Sequence, residues 1–348
     1  MKRIISLSMF LMATVLLAQE APVEEKKFNI SGSVDAYYRA NFTAPNDENA
    51  IAPGSSFANL PGFALGMANV VASYKGEKVG FVADLVFGPR GEDAVFGSPL
   101  YQSLKGGIGG SSQLINQLYV YWNVSESVKL TFGNFNTFLG YEVISPVGNF
   151  NYSTSYLFSY GPFSHTGLKA DFSLSDDFSL GLMIMNPTDV TEFNPSGDYH
   201  YGAQLGYSGQ YINFLGYSDA FQIDYTGGFD VSDKLYLGLN LSYADLDGPS
   251  FYGVALYPQI ATSDSFAIGL RAEYFAETDG GAGGIGAYDT DGDGNVFEFT
   301  LTGSYSIENL TIKPELRLDS ASENAFINND LAPTKSLGSF VLAAIYSF

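Results

Sequence analysis

Seven residues, Asp289-Thr-Asp-Gly-Asp-Gly-Asn295, have the clearest ligand spacing in the chain. Alternate carboxylates leading to a glycine at the sixth position open a calcium loop of the EF-hand type. The twelfth position should supply a bidentate Glu, but it falls on Thr300, and the nearest acid, Glu298, lies two residues early. Val296 to Leu301 alternates like a strand, so the flanking helices are missing too. Two readings are left: a looser, weak Ca²⁺ site built from Asp289, Asp291, Asp293 and the Asn295 carbonyl, or a solvated acidic loop. No other motif requires a cofactor.

The only histidines are His165 and His200. Ser164 precedes His165, but neighbours on a strand point to opposite faces, which argues against a Ser-His-acid hydrolase. With no cysteine, thiol nucleophiles, thiolate metal sites and disulfides are excluded.

A third group of reactive side chains recurs at every second position. Lys313, Glu315, Arg317 and Asp319 form one such ladder, Arg271 and Glu273 another, Lys169 and Asp171 a third. With Asp35, Arg39, Asp84, Lys129, Asp224 and Glu298, they belong to the polar faces of alternating segments. Alternation of this kind puts them on one side of a strand. Acids and bases nearly balance, and pairing of Arg271 with Glu273 or Glu298 across a wall is the simpler expectation.

The elements that carry these residues are strands. Phe28, Ile30, Val34, Ala36, Tyr38, Ala40 and Phe42 separate cleanly from Asn29, Ser31, Ser33, Asp35, Tyr37, Arg39 and Asn41. The same period of two marks segments near 79–87, 168–174, 221–229, 235–243 and 310–319. About sixteen such segments are counted, each near the 9–11 residues of a tilted membrane strand. Because 63–74, 202–208 and 211–217 are ambiguous, fourteen stays open. Only 15% of residues are charged while 15% are aromatic, and the polar faces are mostly Gly, Ser, Thr, Asn and Gln. A soluble β-sandwich would present many more charges.

Short turns rich in Ser, Asp, Gly and Asn alternate with long segments near 43–61, 89–112, 134–163, 187–199, 276–295 and 320–335. Short turns on one rim and long loops on the other are the asymmetry of a transmembrane antiparallel up-and-down β-barrel. Phe28, Trp122, Phe172, Phe178, Phe229, Tyr305 and Tyr346 are expected in one aromatic girdle, and Phe42, Phe87, Phe221, Phe251, Tyr274 and Phe297 in the other. The domain reading is a signal peptide at 1–18 (cleavage as late as 21), a short segment at 19–27, and one barrel domain over 28–348. Lys2-Arg3 before the apolar Ile4–Ala18 supports the leader.

The terminal stretch Phe340 to Phe348 alternates up to a final Phe and resembles the last-strand signature by which the outer-membrane insertion machinery recognises bacterial barrels. Gly-Tyr-Glu at 140–142, Asn-Tyr-Ser at 151–153 and Gly-Pro-Phe-Ser-His-Thr-Gly at 161–167 resemble the OmpL-like β-barrel porins. That resemblance implies a bacterial outer-membrane porin in contact with outer-membrane lipid, passing small hydrophilic solutes or ions. It brings no catalytic residues. Residues 134–163, with Phe135, Phe138, Tyr141, Glu142, Phe150, Tyr152, Tyr156, Phe158 and Tyr160, are too apolar for a solvated loop and are expected to fold inward as a constriction. The fourteen charged residues above are then expected to line the channel.

The net charge of −21 excludes nucleic acid as a partner. Arg90, Lys105 and Lys335 are the bases of otherwise acidic long loops, so weak cation preference is expected. A non-conducting adhesive or structural barrel is the alternative, and an outer-membrane hydrolase the third. Homo-oligomer formation is left open.

Overall fold

A computed structural model of the chain describes residues 27–98 and 111–348. The expected signal peptide, its cleavage site, nearly all of the 19–27 segment and Lys105 lie outside the described residues.

Fifteen strands follow one another: β1 (Phe28–Asn41), β2 (Gly62–Lys75), β3 (Val79–Phe87), β4 (Ile115–Ser125), β5 (Val128–Asn136), β6 (Ser164–Ser173), β7 (Phe178–Met185), β8 (His200–Tyr207), β9 (Gln210–Tyr217), β10 (Ala220–Asp230), β11 (Leu235–Asp245), β12 (Ser250–Ala261), β13 (Phe266–Thr278), β14 (Gly294–Ile307) and β15 (Leu310–Ala321). A small ladder, β16 (Phe326–Ile327) with β17 (Pro333–Thr334), precedes the last strand, β18 (Ser336–Ser347). β1–β15 and β18 form one closed antiparallel barrel of sixteen strands. The segments 63–74, 202–208 and 211–217 are β2, β8 and β9, so the count is sixteen rather than fourteen. The seam joins β1 to β18, with Ser33 opposite Ser347 and Tyr37 opposite Ala343. Closure gives every strand two partners, the condition for a sheet without edges in an apolar medium.

The alternation read from the sequence becomes an inside and an outside. Along β14, Glu298, Thr300 and Thr302 are buried while Phe297, Phe299 and Leu301 are 45–49% exposed. Along β15, Lys313, Glu315, Arg317 and Asp319 face inward and Leu316 and Leu318 outward. Pro314 also faces outward. Outward aromatics gather at both ends, with Phe28, Trp122, Phe178, Phe229, Tyr305 and Tyr346 near short turns and Phe42, Phe87 and Phe297 near long loops. Phe251 is a correction: it is buried and packs on Phe275, and its neighbour Tyr252 points outward beside Tyr274. β12 begins at Ser250, and its register against β11 and β13 puts Phe251 on the inner face.

The two ends differ as the sequence suggested, except that two long-loop-end connections, 218–219 and 246–249, are tight turns. The interior is packed, and its largest cluster gathers Tyr156, Leu157, Phe251, Tyr257, Phe275 and Val296.

Candidate functional site

β5 continues to Asn136, because Asn134, Phe135 and Asn136 pair with Thr166, His165 and Ser164 of β6. The inward loop therefore begins at Thr137, three residues later than the spacing suggested. Its ends are tied where Thr137 N donates to Phe163 O at 2.9 Å. Between them the chain enters the barrel and touches much of its inner wall.

A non-helical, non-sheet backbone in such an interior must have its N–H and C=O groups bonded. Wall acids receive the amides. Glu315 accepts from Tyr152 N at 2.8 Å and Ser153 N at 3.2 Å, and from the Ser153 hydroxyl. Glu273 accepts from Tyr156 N at 2.8 Å and Leu157 N at 2.7 Å. Asp224 accepts from Gly140 N at 3.0 Å, steadied by Asn213 and Asn240.

Wall bases receive the carbonyls. Arg271 donates to Ser153 O at 2.6 Å, Arg317 to Thr154 O at 2.8 Å, and Lys313 to Asn149 O at 2.5 Å and Pro146 O at 3.1 Å. The near balance of charge in the sequence thus reflects a match to a backbone that has as many acceptors as donors.

The charges also satisfy one another. Arg271 is wholly buried and bridges Glu298 of the wall at 2.9 Å and Glu142 of the loop at 2.8 Å. Arg317 pairs with Asp319 at 2.8 Å and Glu298 at 3.7 Å. Glu273 and Glu298 sit directly opposite on β13 and β14, a repulsive arrangement if left alone. Here Glu298 is held by the two arginines while Glu273 takes two loop amides. Asp35 accepts from Met67 N at 3.0 Å and from the Tyr152 hydroxyl. Arg39 donates to Ile51 O at 3.1 Å, and Asp84 accepts from Asn116 at 2.7 Å and Asn69 at 3.2 Å. Lys129, Lys169 and Asp171 lie together on β5 and β6, away from these contacts.

Inside the loop, Ser155 caps a one-turn helix, Tyr156–Tyr160, by accepting from Phe158 N at 3.0 Å. Glu142 accepts from Ser155 N at 2.8 Å, folding the Gly-Tyr-Glu stretch onto the helix start. The rings seat on wall glycines. An added Cβ would lie 2.6 Å from the Phe138 ring at Gly202, 2.5 Å from the Tyr141 ring at Gly238 and 2.4 Å from the Phe150 ring at Gly269. Tyr141 stacks on Tyr257 with centroids 4.3 Å apart, and Tyr156 on Phe275 at 5.6 Å. Burial, followed by the Asp35 carboxylate for Tyr152 and that of Asp319 for Tyr156, holds both phenols well above their usual range, so they stay neutral donors.

Arg90 is a further correction. It is 3% exposed, donates to Ile144 O at 2.9 Å and Tyr152 O at 3.0 Å, and lies over the Phe57 ring at 4.4 Å, so it fastens the loop rather than offsetting an acidic rim. Lys335 is exposed and pairs with Glu323 at 3.7 Å. Arg90 and Ser55, which accepts from Arg317 at 3.1 Å, had no sequence signal: their partners lie far away in the chain.

Asp289, Asp291 and Asp293 do not converge. Asp289 Oδ1 accepts from Asp291 N at 2.9 Å and Asp293 N at 3.0 Å, a turn that uses a carboxylate to order its own backbone. Asn295 lies in β14, with its N–H bonded to Ser322 Oγ. Among the described residues no group of three or more His, Asp or Glu side chains is placed to hold a metal ion. His165 is buried, and its Nε2 meets Thr137 Oγ1 at 3.0 Å rather than a serine.

The barrel is similar to solved outer-membrane structures. The anion-selective porin from Comamonas acidovorans superposes with a TM-score of 0.57 at 11% identity, covering 92% of this chain and 99% of that one. OmpT of Vibrio cholerae, an outer membrane protein in its trimer form, gives 0.53 at 12% identity, covering 92% and 99%. Both likenesses concern the fold alone. Among curated proteins, none matches the chain. The family model described as "Putative beta-barrel porin-2, OmpL-like" matches residues 27–348, which is the whole barrel, and the chain belongs to that porin family.

Proposed function

We propose that the protein is a passive channel of the bacterial outer membrane for small hydrophilic solutes or ions, narrowed by residues 137–163 and weakly cation-preferring. The observation that carries the reading is the loop's attachment: its backbone is bonded to Asp224, Arg271, Glu273, Lys313, Glu315 and Arg317 of the wall. A segment fixed this way constrains whatever passes beside it. The long-loop rim supplies the cation preference, with Asp47, Glu48, Asp198, Asp247, Asp291 and Asp330 exposed there. The family and fold favour transport over catalysis. Outer-membrane lipid and the insertion machinery are the expected partners, and a homo-oligomer is compatible with the fold.

Reconstitution in planar bilayers tests the reading through conductance and reversal potential. Deleting Asn149–Tyr156 should raise single-channel conductance. Unchanged conductance in a variant that keeps its heat-modifiable barrel would remove the loop from the pathway, and a potential favouring chloride would overturn the cation preference. A second reading, a non-conducting barrel, is favoured by one observation. Phe135, Leu139, Met183, Met185 and Leu215 make a buried apolar cluster on the wall away from Arg271. Absence of any conductance would select it.

A further inference from the structure

The inner-wall charges form two populations. Asp35, Arg39, Asp84, Asp224, Arg271, Glu273, Glu298, Lys313, Glu315, Arg317 and Asp319 are at most 8% exposed. Lys129, Lys169 and Asp171 are different, their side chains keeping 47%, 23% and 31% exposure. A charge sealed against a partner acts weakly on a passing ion, whereas one in contact with water acts directly.

The register of β5 against β6 sets Lys129 opposite Asp171 and Thr131 opposite Lys169, so all three share the inner face close to the short turn at 126–127. Lys169 Nζ is 3.2 Å from Asp171 Oδ1 and Lys129 Nζ 3.9 Å from Oδ2, an oxygen with no hydrogen-bond partner. One carboxylate between two ammonium groups leaves one positive charge in excess. The Lys129 ammonium lies 6.0 Å from the Tyr121 ring centre and that of Lys169 5.9 Å from Phe135. On the adjoining strand the residue opposite Asp171 is Gly181, where an added Cβ would lie 3.6 Å from Asp171 Oδ1. Among the described residues, no hydrogen bond from residues 137–163 reaches the three.

We infer that Lys129, Asp171 and Lys169 set ion selectivity inside the barrel, forming a net-positive step that draws small anions such as chloride and monocarboxylates and opposes the acidic rim. The inference rests on the channel reading and deepens it.

The test is the reversal potential across a KCl gradient, with wild-type protein and variants that retain heat-modifiable migration. Removing both cations in K129Q/K169Q turns the cluster from net positive to net negative and should raise the potassium-to-chloride permeability ratio by about two- to fivefold, the effect of two unit charges acting across several ångströms of partly screened medium. D171N should move the ratio the opposite way, which a merely structural role would not do. An unchanged ratio in K129Q/K169Q, or the same direction of shift in both variants, would overturn the inference while leaving the channel intact. A wild-type protein that conducts nothing would overturn both.

Discussion

The wall of β13–β15 and the wall of β5 and β6 carry the same residue types at the same spacing, yet they use them differently. On β13–β15 the charges are buried, and Arg271, Glu273, Lys313, Glu315 and Arg317 bond the inward loop directly. On β5 and β6 the charges pair only among themselves and stay in contact with water. Position relative to the loop decides whether a charge is sealed into the packing or left in contact with water.

That contrast can be broken from either side. The largest effect is expected from Arg271→Ala, which strands Glu142 and Glu298 without their common cation. Losing one member of a buried ion network costs about 3–5 kcal/mol, measurable as a lower temperature or urea midpoint for loss of the heat-modifiable form.

Asp189 tests the loop's exit. Its carboxylate accepts from Phe163 N and Ser164 N at 2.8 Å each. Burial pushes its carboxyl up to about 6, against the opposing pull of those two amides. The folded chain then keeps a proton that the unfolded chain has already released. This contribution to stability is therefore full below the ordinary value of 3.8 and falls as pH rises through 6. Between pH 4 and 7, wild type should lose up to about 3 kcal/mol that Asp189→Asn does not lose. Parallel pH profiles of the two proteins would refute this.

A smaller effect comes from Gly238→Val, which forces the Tyr141 ring off its seat beneath Tyr257. Overpacking of this kind costs about 1–3 kcal/mol and should expose the loop to added protease. The smallest is Lys129→Ala. An ion pair of this exposure is worth about 0–1 kcal/mol, so stability should hardly change while selectivity does. A stability loss as large as that of Arg271→Ala would erase the distinction between the walls.

Much of this was legible in the sequence because a barrel strand states its two faces residue by residue. The pattern Phe297-Glu298-Phe299-Thr300-Leu301 needs no partner to be read. The inward loop was legible for a similar reason, since eight aromatics and few charges do not suit water. What could not be read was pairing over long separations. Glu142 meets Arg271, and Arg90 meets Tyr152, through a fold that no local spacing encodes. Phe251 differs from its outward expectation by one register step, which inverts a strand residue completely. The Asp289–Asn295 motif looked like a ligand set because turns and metal loops both favour Asp and Gly, and only geometry separates them.

The seam between β1 and β18 has a kinetic consequence. Ser33 and Ser347 must find each other across nearly the whole barrel sequence, a closure whose entropic cost is on the order of 5 kcal/mol. Until that step both flanking strands present open edges, which template pairing with other chains. The slowest and most error-prone moment in the life of this protein should therefore be the joining of its first and last strands. Shielding those two edges during assembly matters more to yield than the strength of any contact inside.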